Sequence, residues 1–171
     1  MGELRTTAEI LLVEDNQSDL ELALRALAKH GIADVCVARD GVEALDFLFC
    51  QGPFSTRCII DQPRVILLDL KLPLIDGIEV LRRIRADSCT HFIPVVALTS
   101  SDREADVALM YQLGVNSYIR KPTDFNQFAD AIKMVAAYWL TVNHPLPGSS
   151  KNVLTPSASQ VSAGVGYRQS A

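Results

Sequence analysis

Arg64-Val65-Ile66-Leu67-Leu68-Asp69-Leu70 is the stretch whose reading decides the fold. Its unbroken aliphatic run, with Pro63 before it and Pro73 after, predicts a strand buried on both faces. Strands of that kind lie in the middle of parallel sheets, where helices cover both sides. Asp69 follows at the carboxyl end, the edge at which open α/β sheets hold their ligands. Taken alone, it is explained equally well as a cap for the following turn.

Moving outward, Ile10-Leu11-Leu12-Val13 is a second aliphatic run, and it ends in Glu14-Asp15. Asn16, Ser18 and Asp19 are helix-starting residues, and Leu20, Ala23, Leu24 and Leu27 recur at helical spacing until Gly31. A dinucleotide-binding turn would need glycines here, and the turn has none. Val35-Cys36-Val37-Ala38 predicts another strand, then Asp40-Gly41 and a helix through Ala44, Leu45, Leu48 and Phe49. Cys50 to Gln62, with Gly52, Pro53, Ser55 and Thr56, reads as an irregular loop. Beyond Asp69, Asp76-Gly77 opens a helix packing through Val80, Leu81 and Ile84.

Ile93 to Leu98 forms the next strand, ending in Thr99-Ser100-Ser101, and Ser101 and Glu104 are spaced as a capping box. The helix that follows stops at Gly114. Asn116-Ser117-Tyr118-Ile119 is the last strand and runs into Lys121-Pro122. A final helix starts near Thr123, with Phe125, Phe128, Ile132, Val135 and Trp139 along one face. Five strands alternating with five helices predict an α/β fold: a doubly wound five-stranded parallel sheet, helices on both faces, right-handed crossovers.

The bulk composition excludes several classes. A net charge of -4 argues against a nucleic-acid binder. No window reaches the roughly 18 to 20 apolar residues of a membrane span, and the first residues lack a signal-peptide core. A cytoplasmic location is therefore expected. The four cysteines and three histidines are scattered, so neither a zinc site nor a disulfide framework is indicated. From Pro145 onward Gly, Ser, Pro and Ala dominate. The expected organisation is an N-terminal extension at 1–8, one domain at 9–144, and a mostly disordered tail at 145–171.

In such a sheet Glu14, Asp15, Asp69, Thr99 and Lys121 all fall just past carboxyl strand ends. Each has an ordinary explanation alone: turn acid, helix cap, backbone-bonded hydroxyl, surface cation. Their convergence on one edge does not. Three carboxylates in one crevice raise a pKa or call for a cation. All-oxygen ligands with room left for water and phosphate oxygens favour Mg2+. A lysine and a hydroxyl facing them make sense if a phosphoryl group joins Asp69 as an acyl phosphate, with Lys121 and Thr99 each holding an oxygen.

At this point the chain resembles a receiver domain of the two-component response regulators. Ile10 to Asn16 resembles the family's first strand and acidic pair. Val65 to Asp69, Leu72-Pro73 and Asp76-Gly77 resemble its phosphoacceptor strand and loop, and Val95 to Ser100 the strand bearing its switch hydroxyl. Tyr118-Ile119-Arg120-Lys121-Pro122 resembles its switch aromatic, lysine and cis-proline. The resemblance implies a flavodoxin-like receiver fold and Mg2+ bound by Glu14, Asp15, Asp69 and the Lys71 carbonyl. It further implies Asp69 as phosphoacceptor, Thr99 and Lys121 as its helpers, Thr99 and Tyr118 as switch residues, and a cis Pro122.

The Cys50–Gln62 loop and the ending Tyr138-Trp139-Leu140, with Leu146-Pro147 after it, resemble the single-domain regulators paired with phytochromes. That implies a light-sensing histidine kinase as phosphoryl donor and a tendency to homodimerise. An apolar helix from Asp102 to Leu113, and Met134, Tyr138 and Val142 on the last helix, predict an association surface. It comprises the last two helices and the strand between them. On the first of these helices Ala105, Leu109 and Leu113 form one apolar stripe and Val107, Met110 and Tyr111 lie on the other side, so the helix is apolar nearly all round. The alternative is a non-phosphorylated adaptor of the same fold that docks a kinase or dimerises. A phosphotransferase or hydrolase acting on a separate substrate fits less well, because many such enzymes need an acid where this chain has Lys71. No turnover of a free substrate is expected.

Overall fold

The sheet runs in the order β2-β1-β3-β4-β5 and is parallel throughout. Its strands are β1 (Ile10–Val13), β2 (Val35–Ala38), β3 (Val65–Leu68), β4 (Val95–Thr99) and β5 (Ser117–Arg120). The helices are α1 (Gln17–Lys29), α2 (Gly41–Leu48), α3 (Gly77–Ala86), α4 (Glu104–Gln112) and α5 (Phe125–Ala137). The structure is a computed structural model and describes residues 8–101 and 103–145. Nearly all of the expected 1–8 extension and of the expected 145–171 tail, together with Asp102, lies outside the described residues.

The unbroken aliphatic runs follow from two cores, one on each face of the sheet. Leu11, Val13, Ile66 and Leu68 face α2 and α3 through Leu45, Phe47, Leu81 and Ile84. Ile10, Leu12, Val65 and Leu67 face α1 and α5 through Leu20, Leu27, Phe128 and Ile132. Successive residues of a strand point to opposite faces, so a strand covered on both sides must be apolar at every position.

Local signals start the helices. Asn16 Oδ1 accepts the Ser18 and Asp19 N–H groups at the start of α1, and Asp40, Asp76 and Asp124 cap α2, α3 and α5 in the same way. The expected capping box at Ser101 does not form. Arg103 occupies the N-cap of α4, and the Ser101 hydroxyl donates instead to Asp106 Oδ2 at 2.6 Å.

One expected core position is also revised. Phe125, placed by periodicity on the inner face of α5, is 70% exposed; it is the first residue of the helix, and burial starts at Phe128. On α4 the buried side chain is Met110, whereas Ala105 is exposed and Leu109 and Leu113 are half-buried. A helix apolar nearly all round carries no periodic signal to say which face turns inward.

The Cys50–Gln62 loop is held more firmly than its composition suggests. It contains a short 3-10 turn, Gly52–Phe54. The Arg57 guanidinium lies 3.6 Å from the centre of the Phe47 ring and donates to the Phe47 and Asp61 carbonyls. Gln62 Nε2 donates to the Leu48 and Ile59 carbonyls at 2.9 and 2.8 Å.

Candidate functional site

Parallel pairing places every carboxyl strand end on one edge, and backbone ladders set the residues just beyond. The Glu14 N–H donates to the Ala38 carbonyl, Asp69 N–H to Val13, and Lys121 N–H to Thr99, at 3.0, 3.0 and 2.8 Å. From β5 the Lys121 side chain reaches past the end of β4 toward β3 and β1. Its ammonium donates to Asp69 Oδ2 at 2.6 Å, Glu14 Oε2 at 2.6 Å and Asp19 Oδ2 at 2.9 Å. An ammonium carries three protons, and all are used.

One cation thus serves three carboxylates, two of them buried, and the imbalance falls on Glu14. Burial pushes its carboxyl up to about 7; the hydrogen bond and charge of Lys121 offset part of this, and the neighbouring Asp69 charge adds to it. For Lys121, burial pulls the ammonium down. The hydrogen bonds to Asp69 and Glu14 prevail and hold it above the ordinary lysine range. The lysine therefore stays charged while the site remains short of positive charge.

Glu14, Asp15 and Asp69 present oxygen atoms that all lie within 4.8 Å of one another. Asp15 is exposed, open to incoming solvent and ions, and the other two are buried. An all-oxygen donor set with surplus negative charge suits a hard divalent cation. The Lys71 N–H donates to Asp69 Oδ1 at 3.2 Å, whereas the Lys71 side chain is exposed.

Thr99 is fully buried, and its hydroxyl accepts the Ser101 N–H at 3.1 Å, which is the ordinary strand-end arrangement. Tyr118 is half-buried against the core, and its hydroxyl donates to the Ser101 carbonyl at 3.2 Å. Thr99 and Tyr118 are therefore tied to the same short loop. Pro122 departs from expectation: no cis peptide bond occurs among the described residues, so Lys121–Pro122 is trans. The two isomers of an X–Pro bond differ by only about 0.5–1 kcal/mol, so the dipeptide itself does not select one.

Asp19 is the site residue that the sequence reading missed. An acid in the first turn of a helix is favoured by the helix dipole wherever it occurs, so nothing in the pattern set it apart.

Asp69, the acids beside it and the lysine reaching over from β5 form one cluster at the carboxyl edge of the sheet. The response regulator receiver domain model matches residues 10–133, and the chain belongs to that family, whose members bind a divalent metal. Within the family it is similar to Response regulator Rcp1 of Synechocystis, at 38% identity over 138 residues, 80% of this chain and 92% of that protein. A solved Mn(2+)-bound form of Rcp1 superposes with a TM-score of 0.74 at 36% identity, covering 80% of this chain and 97% of that one. The phosphorylated cyanobacterial phytochrome response regulator RcpA superposes at 0.76 with 38% identity, over 81% and 98% of the two chains. The bacteriophytochrome response regulator RtBRR superposes at 0.65 with 49% identity, over 84% and 86%. No described helix is long and apolar enough to cross a membrane.

Proposed function

We propose that Asp69 accepts a phosphoryl group from a sensor histidine kinase in a Mg2+-dependent reaction, and that the resulting acyl phosphate switches an association surface. The observation that carries this reading is the Lys121 ammonium 2.6 Å from both Asp69 and Glu14, across three strands of the sheet. An Asp69 carboxylate oxygen attacks phosphorus, the P–O bond forms, the donor's P–N bond breaks, and the donor histidine leaves with the electron pair. Mg2+ held by Glu14, Asp15, Asp69 and the Lys71 carbonyl would neutralise charge on the phosphoryl oxygens. Lys121 keeps one phosphoryl oxygen paired, and Thr99 turns its hydroxyl to another.

The phosphoryl group adds about -1.5 to -2 charges near neutral pH. Hydrogen bonds to charged groups contribute about 1.5–3 kcal/mol each, against about 5.5 kcal/mol needed to reverse a 1:99 equilibrium. Two such bonds, from Thr99 and Lys121, bring a large population shift within reach. Movement of Thr99 would pull on the Ser101 loop to which Tyr118 is tied, and so reach α4, β5 and α5.

That surface is our candidate for homodimerisation, supported by exposed Met134, Tyr138 and Val142 and by a groove of about 510 Å3 lined by Ile119, Ala131 and Val135. The likeness to RcpA and RtBRR favours a phytochrome as the kinase and a cytoplasmic setting. We assign no nucleic-acid or membrane partner and no turnover of a free substrate. Labelling with acetyl phosphate and Mg2+ tests the reading. Wild type should label and Asp69→Asn should not, and equal labelling of the two, or none of wild type, would overturn it. Initial rates of transfer from candidate kinases then identify the donor.

A further inference from the structure

We infer that Asp19 is a positioning residue for this site: its carboxylate holds the Lys121 ammonium on the α1 side of the crevice while Glu14 and Asp69 turn to other ligands. The inference rests on the phosphoacceptor reading above. Lys121 spends all three protons on Glu14, Asp19 and Asp69, yet two of those acids belong to the trio suited to a divalent cation. When a cation and a phosphoryl group occupy the crevice, those two must share or release their bonds to the ammonium. A buried ammonium left with too few acceptors is costly, and the Lys121 side chain is only 7% exposed.

Asp19 lies outside the trio and is placed independently of it. Its backbone N–H is fixed by Asn16 Oδ1 at 3.1 Å, and its side chain is 35% exposed, so it meets water on one side and Lys121 on the other. Without it, Lys121 settles on Glu14 and Asp69 and competes with the incoming cation. A first-turn acid that served only the helix dipole would need no contact with Lys121 at all.

The test is the Mg2+ dissociation constant of the unphosphorylated full chain, measured calorimetrically for wild type, Asp19→Asn, Lys121→Met and the double variant. A hydrogen bond to a half-exposed charge corresponds to roughly a three- to tenfold effect. Asp19→Asn should weaken Mg2+ binding by that factor and raise the acetyl phosphate concentration for half-maximal labelling rate more than it lowers the maximal rate. In the Lys121→Met background the same change should have less than a twofold effect, because there is no ammonium left to hold. An unchanged affinity in Asp19→Asn, or an equal loss in both backgrounds, overturns the inference; the latter assigns Asp19 a field effect only. Thermal unfolding checks each fold, and Asp19→Ser is the second variant should Asp19→Asn not fold. Wild type that fails to label on Asp69 defeats the phosphoacceptor reading itself, whatever Asp19 does.

Discussion

Gly77 lies directly against the backbone of Asp69: a Cβ on Gly77 would fall 2.2 Å from the Asp69 carbonyl oxygen and 2.8 Å from the Leu70 Cα. The Gly77 N–H also donates to the Leu70 carbonyl at 2.9 Å, so α3 begins in contact with the chain leaving β3. Neither neighbour is a flexible side-chain end that can swing away. Gly77→Ala should therefore destabilise the fold by about 1–3 kcal/mol and displace Asp69 from Lys121. Urea unfolding gives the first effect and acetyl phosphate labelling the second. Wild-type values in both would refute the contact.

The charge imbalance at Glu14 sets a pH dependence. Its carboxyl titrates at about 7 in the folded chain against an ordinary 4.5, so between those values the folded state binds more protons than the unfolded state. Without divalent metal, stability should fall as pH rises from about 4.5 to 7, by no more than on the order of 3 kcal/mol, and level off above. Lys121, held above its ordinary 10.5, is charged in both states across this window and adds no slope. Thermal unfolding in chelator from pH 5 to 8 measures this. Added Mg2+ should stabilise more at pH 8 than at pH 5, because protons compete for Glu14.

Lys71 presents its amide to Asp69 and its side chain to solvent. An exposed ammonium beside the acyl phosphate would offset charge as water attacks, an effect of about 0.2–1 kcal/mol. Lys71→Asn should lengthen the acyl phosphate lifetime by roughly two- to fivefold. Equal decay rates in the two proteins would remove this role.

Along α5 and its continuation, Met134 is 65% exposed and Val142 71% exposed, beside the groove that includes Tyr138 and Trp139. If this face joins two copies, Met134→Glu with Val142→Glu should weaken self-association at least tenfold, as charges are depleted from interface cores. Sedimentation equilibrium reads the change. Unaltered association would move the interface elsewhere.

The identities of β1, β3 and β4 were legible because burial on both faces leaves an unmistakable aliphatic run, as in Val65 to Leu68, whereas half-buried β5 carries no such run. The capping acids and amides marked where α1, α2 and α3 begin, since one side chain there acts on its own backbone; the cap of α5, Asp124, went unnamed beside Thr123. Face assignment failed for Phe125; on α4 the sequence singled out no inward face, because that helix is apolar on both sides, and Met110 is the side chain it buries. Long-range staples were equally invisible. Arg85 donates to the Gly114, His91 and Ile93 carbonyls and to Asn116 Oδ1, joining α3 to the segments that lead into β4 and β5, yet it reads in sequence as one more helix-end cation.

The sequence by itself determined that acids, a hydroxyl and a lysine would stand at the carboxyl ends of parallel strands, because strand patterning and connection handedness leave one arrangement open. Only the tertiary structure decided that Lys121 divides its protons among Glu14, Asp19 and Asp69, partners 52 to 107 residues away. Local pattern reports which side chains leave the core. Which of them then meet depends on side-chain reach and on the charge that burial leaves unbalanced.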